Sequence, residues 1–199
     1  MNERKRYCVF SGSNLGARTE YAKAATELGE QLAAEGIGLV YGGSSVGLMG
    51  VIADAVLKSG GEVIGVIPQF MVGKEVAHQG LSDLHITTSM HERKALMAEL
   101  SDGFIALPGG IGTFEETFEI WTWAKLGHHT KPCGLLNCEG FYDGLASFLD
   151  MVVREGFLGE VDRQMLLNER EPWSLLKAMK RYVAPAPRGR WMPTRQSAE

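Results

Sequence analysis

The chain has only three cysteines, Cys8, Cys133 and Cys138, and they are scattered. With no CxxC spacing and no pairing pattern, they offer neither a zinc site nor a disulfide framework. Cys8 and Cys133 fall in or beside expected strands and read as buried, reduced thiols. No apolar run approaches the roughly 20 residues that span a bilayer. The start, Met1-Asn2-Glu3-Arg4-Lys5-Arg6, leads straight into a short strand and does not resemble a signal peptide. A cytoplasmic protein is expected, with no membrane partner. Positive charge is also lacking: the net charge of −4 leaves no global electrostatic case for nucleic acid. His78, His91, His128 and His129 have no metal-ligand spacing, so no metal is expected. No Gly-Lys-Ser/Thr follows the glycine turns, which excludes a Walker A loop.

The chain does have glycine, 25 in 199 residues, and much of it follows short apolar runs. Strands are expected at Tyr7–Phe10, Ile37–Tyr41, Glu62–Ile67, Leu84–Thr87, Gly103–Leu107 and Pro132–Asn137. Helices are expected at Thr19–Glu35, Gly47–Lys58, Met90–Ser101, Phe114–Lys125, Phe141–Glu155 and Pro172–Tyr182. The last begins with proline in its first turn. Strands alternating with helices predict an α/β fold with a mostly parallel sheet covered on both faces. Residues 1–183 fit a single domain, and residues 184–199, rich in proline and arginine, read as a flexible tail. The aromatic stripe Phe118-Glu119-Ile120-Trp121-Thr122-Trp123 is expected in the core or at a subunit interface.

Three strands end in polar or glycine-rich turns: Ser11–Gly16, Gly42–Gly50 and Pro108–Thr113. In parallel sheets ligands bind beyond the carboxyl ends of strands where strand order reverses. All three turns are therefore placed on one rim as a nucleotide-sized pocket, with Ser13 and Gly43 among its contacts. The turn Pro108-Gly109-Gly110-Ile111-Gly112-Thr113-Phe114-Glu115-Glu116 organises the rest. Thr113 is a candidate N-cap, and Glu116, three residues on, completes a capping-box pattern. Bare N–H groups at a helix N-terminus suit a phosphate. A carboxylate beside them repels that phosphate unless it serves another purpose; the plainer reading is that Glu116 only caps the helix.

Met90, Lys94 and Met97 share one face of the Met90–Ser101 helix, with Arg93 beside it. Arg93 and Lys94 lie near its N-terminus, where the dipole disfavours cations. A phosphate or a carboxylate facing them would offset that cost. The irregular stretch Gln69–Thr88 is expected to loop across the rim, and Glu75 in it is either a ligand contact or a solvated charge.

Taken together, these residues resemble the LOG (Lonely Guy) family of cytokinin riboside 5′-monophosphate phosphoribohydrolases, some of which carry an older label as lysine decarboxylases. The signature P-G-G-x-G-T-x-x-E is matched in full at 108–116. Arg93-Lys94, Tyr41-Gly42-Gly43 with Gly47-Leu48-Met49-Gly50, and Trp123-Ala124-Lys125-Leu126-Gly127 also match. The similarity covers about Tyr7 to Tyr182. Ile111 stands where plant members usually have Tyr, and Ser44 where the family often has Gly.

The resemblance implies a Rossmann-like three-layer fold, a homodimer or an assembly of dimers, and hydrolysis of a nucleoside 5′-monophosphate to free base and ribose 5-phosphate without a cofactor. It implies catalytic roles for Arg93 and Glu116. Substrate contacts would come from Glu75, Lys94, Thr122 and the turn of Gly110, Ile111, Gly112, Thr113, Phe114 and Glu115. Met90, Gly43 and Ser13 are added as rim contacts. Two alternatives stay open: a broader AMP or purine nucleoside-monophosphate nucleosidase, and a non-catalytic nucleotide or cofactor carrier.

Overall fold

A computed structural model of the chain describes residues 4–72 and 77–186. Its elements run β1 (Arg6–Phe10), α1 (Thr19–Ala34), β2 (Gly38–Tyr41), α2 (Gly47–Lys58), β3 (Val63–Pro68), β4 (Asp83–Thr87), α3 (Met90–Glu99), β5 (Gly103–Ala106), α4 (Ile111–Lys125), β6 (Cys133–Leu136), α5 (Asp143–Arg154), α6 (Glu160–Gln164), β7 (Leu166–Glu169) and α7 (Pro172–Arg181). Short 3-10 turns follow β3 at Gln69–Met71 and β6 at Cys138–Gly140. Each strand expected from the sequence is present to within a residue or two. β7 and α6 are not among the elements expected from the sequence.

The seven strands among the described residues form one parallel sheet in the order β4-β3-β2-β1-β5-β6-β7. Apolar side chains of the central strands alternate between two clusters. Tyr7, Val9, Leu39, Tyr41 and Ile105 face α1, α2 and α7. Cys8, Phe10, Val40, Phe104 and Leu135 face α3, α4 and α5. Both clusters are buried, so a three-layer α/β sandwich follows from strands that are apolar on both sides. Trp121 belongs to the second cluster, and its indole N–H donates to Asp162 O at 3.0 Å. That settles this tryptophan in the core of its own chain. Cys8, Cys133 and Cys138 are all buried free thiols. No helix of the described residues is long and apolar enough to cross a membrane.

Strand order moves outward in both directions from the β1/β5 pair, where Phe10 is in register with Ala106. This reversal opens a crevice beyond the carboxyl ends of β1 and β5. Of the expected tail, 187–199 lie outside the described residues.

Candidate functional site

The three turns meet through their main chains. Gly12 N–H donates to Pro108 O at 3.0 Å, Leu107 N–H to Phe10 O at 2.9 Å, and Leu48 N–H to Gly12 O at 3.0 Å. The turn after β1 is thereby tied both to the turn after β5 and to the start of α2. The packing leaves no room for side chains. A Cβ on Gly47, which sits at φ 59°, would overlap the backbone of Ser13. A Cβ on Gly109 would collide with the Thr113 hydroxyl. Ser13 is exposed on this rim. Beside it a cleft of about 180 Å³ lies between the β1 turn and Pro108–Gly110, walled by Leu15, Tyr21, Leu48 and Phe141. Tyr142 braces the floor: buried, it donates its hydroxyl to Leu107 O at 2.7 Å. Nothing in the sequence marked Tyr142 for that task.

Helix α4 starts at Ile111, with Gly110 as its N-cap and no side-chain cap. Thr113 therefore does not cap the helix, as the sequence had suggested. It lies in the first turn, buried against Gly109, and its carbonyl accepts the Thr117 hydroxyl at 2.6 Å. A capping box does exist, on α3. Ser89 Oγ accepts the Glu92 N–H at 3.1 Å, and the Glu92 carboxylate accepts Thr88 N–H and hydroxyl at 2.7 and 2.6 Å. Those bonds from Thr88 hold the Glu92 carboxyl below its ordinary range. The Ser-x-x-Glu spacing at 89–92 carries the capping-box signal in the sequence.

With no cap of its own, the N-terminus of α4 is open. A Cβ on Gly110 or on Gly112 would meet nothing within 4 Å, and Ile111 between them is 88% exposed. One turn further, Glu116 is half-buried. The Cys8 thiol is pushed well up, first by burial and then by the charge of Glu116, while Arg93 opposes the shift. Both charged groups thus lie within electrostatic reach of β1 on the α3/α4 side of the sheet.

Arg93 is 6% exposed. Its Nε donates to Val66 O at 3.0 Å, its Nη2 to Gly42 O at 3.3 Å, and Nη1 lies 3.9 Å from Met90 Sδ. The partners that offset the unfavourable helix dipole are main-chain carbonyls at the ends of β3 and β2. Gly42 is the seat for this guanidinium, since a Cβ there would overlap Nη2. Gly43, at φ 79°, accepts the His78 N–H at 3.0 Å and so holds the segment that leads into β4. Glu75 lies outside the described residues.

Lys94 turns the other way, to Glu115 Oε1 at 2.5 Å and Glu119 Oε2 at 2.8 Å. Burial works against its charge, but the two carboxylates outweigh burial and hold its pKa above the ordinary lysine range. Phe114 is half-buried edge-on to Tyr142. Thr122 is not brought to the rim: it is exposed, its hydroxyl donates back to Phe118 O at 2.6 Å, and it lies about 14 Å along α4 from Thr113. Among the described residues no group of His, Cys, Asp and Glu is placed to hold a metal.

The chain is similar to one family model, to curated relatives and to solved structures. A family model described as "Possible lysine decarboxylase" matches residues 49–179. The cytokinin riboside 5′-monophosphate phosphoribohydrolase LOG1 of Arabidopsis thaliana is 48% identical over 179 residues, covering 90% of this chain and 84% of its own. LOG of Oryza sativa subsp. japonica, of the same description, is also 48% identical, covering 90% and 74%. Among solved structures, the molybdenum cofactor carrier protein of Chlamydomonas reinhardtii superposes with a TM-score of 0.69 at 22% identity, over 89% of this chain and 97% of that one. The molybdenum cofactor binding protein of Rippkaea orientalis gives 0.66 at 22% identity, over 90% and 98%. At that identity the likeness extends to the Rossmann-like fold alone.

Proposed function

The chain belongs to the LOG family, whose model matches two thirds of it and whose curated members are nearly half identical to it, and from that premise we propose that it hydrolyses the N-glycosidic bond of cytokinin riboside 5′-monophosphates. The observation that carries this reading is the open N-terminus of α4, with Gly110 and Gly112 facing empty space and Glu116 one turn deeper. The conformation of Gly110 (φ −97°, ψ −154°) is extended, and no neighbour crowds either residue. A ligand that must reach the bare N–H groups gives a reason for glycine that the fold does not.

In this reading the N–H groups of Gly110, Ile111, Gly112 and Thr113 hold the 5′-phosphate and fix the ribose. Cleavage of the C1′–N bond leaves positive charge on the sugar, as in other glycoside hydrolyses. The Glu116 carboxylate stabilises that charge and takes a proton from the attacking water. The C1′–O bond forms, the electron pair of the broken bond leaves with the base, and the base gains the proton. Arg93, held by carbonyls, lends positive charge to the phosphoribosyl side. The chain acts as a cytoplasmic homodimer that uses no cofactor; Met90, Phe114 and the Ser13 and Gly43 turns complete the substrate's surroundings.

The test is release of free base and ribose 5-phosphate from isopentenyladenosine 5′-monophosphate and, separately, from AMP. Faster release from the prenylated nucleotide supports the proposal. Faster release from AMP replaces it with the broader nucleosidase, and binding without release replaces it with a carrier. In Glu116→Gln, base release should fall by about 10²–10⁴-fold, the usual worth of a general base, with nucleotide binding kept.

A further inference from the structure

We infer that Lys94, with Glu115 and Glu119, is a positioning device that sets α3 against α4, and that neither Lys94 nor Glu115 is a ligand for the substrate's phosphate. The inference rests on the hydrolase reading above and assigns the family's Arg-Lys and Glu-Glu neighbours to separate tasks. On α3, Arg93 reaches the strand ends and Lys94 reaches α4. On α4, Glu115 is exposed and meets Lys94, whereas its chain neighbour Glu116 is half-buried and within electrostatic reach of Cys8 on β1. Joining 94 to 115 therefore fixes the rotation and depth of both helices, and with them the separation of Arg93 and Glu116.

The charge balance argues against a phosphate at Lys94. One ammonium faces two carboxylates, so the trio carries a net negative charge that repels a dianion. The Lys94 side chain is only 9% exposed, while Glu115 and Glu119 are 53% and 25% exposed, so the solvent-facing part of the trio is its acidic part. Glu115 takes the strong, short bond. Glu119 Oε2, at 2.8 Å, is a second charge contact. Glu115 and Glu119 are one turn apart on α4, so together they grip Lys94 along the helix axis as well as around it. The phosphate already has a neutral donor set at the helix N-terminus.

The experiment compares wild type, Lys94→Met, Glu119→Gln and the double variant, on the nucleotide that the chain turns over fastest and on the nucleoside lacking its phosphate. A loss of alignment of about 1 Å costs on the order of 10²-fold in rate, so kcat should fall roughly 10–100-fold in Lys94→Met. KM for the nucleotide should move less than about 3-fold, and the preference for nucleotide over nucleoside should survive. Glu119→Gln should lower kcat at constant KM, and the double variant should lose less than the product of the single losses, because the two changes break one device. Rescue of kcat by Lys94→Arg, which can still bridge both carboxylates, is also expected. The inference is overturned if Lys94→Met raises KM, abolishes the preference for a 5′-phosphate, and Glu119→Gln behaves as wild type. Should Lys94→Met fail to fold, Glu119→Gln alone decides: an unchanged kcat overturns the inference. Failure of the hydrolase reading looks different, since the wild-type chain would then release no base from any nucleotide, and the inference falls with it.

Discussion

Replacing Gly42 by alanine tests the placement of Arg93 without touching a charged group. Gly42 has no positive φ, so alanine meets no backbone penalty there. Its Cβ would nevertheless stand well under 3.0 Å from Arg93 Nη2 and 3.2 Å from Met49 Sδ. Ordinary contact needs about 3.5 Å, so the guanidinium must retreat by about 1 Å. The bond to Gly42 O, already 3.3 Å, breaks first; the bond to Val66 O at 3.0 Å is strained. Losing one charge-assisted bond in a buried place costs about 2 kcal/mol. In a domain of this size that lowers the melting temperature by about 4–8 °C. The larger effect is on catalysis, where a misplacement of about 1 Å is worth roughly 100-fold in kcat/KM. The assay is chromatographic release of base, paired with a thermal melt. Gly144→Ala serves as control, since a Cβ there meets nothing and α5 gains a better helix former. A folded Gly42→Ala protein with full activity and a visibly displaced Arg93 would refute the argument, because the reaction would then not depend on where that charge sits.

Two further expectations complement the variants of Glu116 and Lys94 described above. Gly110→Ala should leave the melting temperature unchanged, since its Cβ enters open space, yet raise KM for the nucleotide by about tenfold, or ~1.4 kcal/mol; an unchanged KM would remove the phosphate from that helix end. His129 gives a pH signature. Its Nε2 lies 3.0 Å from Ile120 O, and Nδ1 accepts from Lys131 N–H at 3.2 Å, which fixes a neutral ring donating through Nε2. Burial holds its pKa below the ordinary imidazole value, with the Ile120 carbonyl opposing and the charge of Lys131 adding to the effect. The unfolded chain then binds the proton first, so this contribution is complete above about pH 6.5 and is lost as pH falls through the folded value. Melting curves between pH 8 and 5 should show a shallower decline for His129→Gln than for wild type; parallel declines would exclude His129 as their source.

Much of this was legible in the chain because it is written locally. Apolar runs ending in glycine turns placed six of the seven strands, and a rim shared by three of those turns followed from their alternation with helices; that the crevice opens between β1 and β5 came from the strand order. Arg93 and Glu116 stood out because charges at helix starts demand a reason. What was missed depends on partners far along the chain. The acceptors of Arg93 come from Val66 and Gly42, and the carboxylates of Lys94 from the middle of α4. β7 was missed because Leu166-Leu167-Asn168-Glu169 is short, lacks β-branched residues and lies at the sheet edge. The cap on α4 was misassigned because Ile111-Gly112 reads as turn, whereas the helix has already begun there. Thr122 and Glu75 rested on helical spacing, loop position and resemblance, none of which fixes a side chain in space; the first lies away from the rim and the second outside the described residues.

The rim is stitched from peptide groups: Gly12 to Pro108, Leu48 to Gly12, Leu107 to Phe10. A surface built this way is nearly silent in an alanine scan, because truncating a side chain removes nothing from it. Its sensitive positions answer only to addition. At Gly42, Gly47 and Gly109 one extra methyl group disturbs the scaffold, whereas at Gly110 and Gly112 the same methyl disturbs only what comes to rest there. Stepwise enlargement of these five positions would therefore map the cradle and its guest separately.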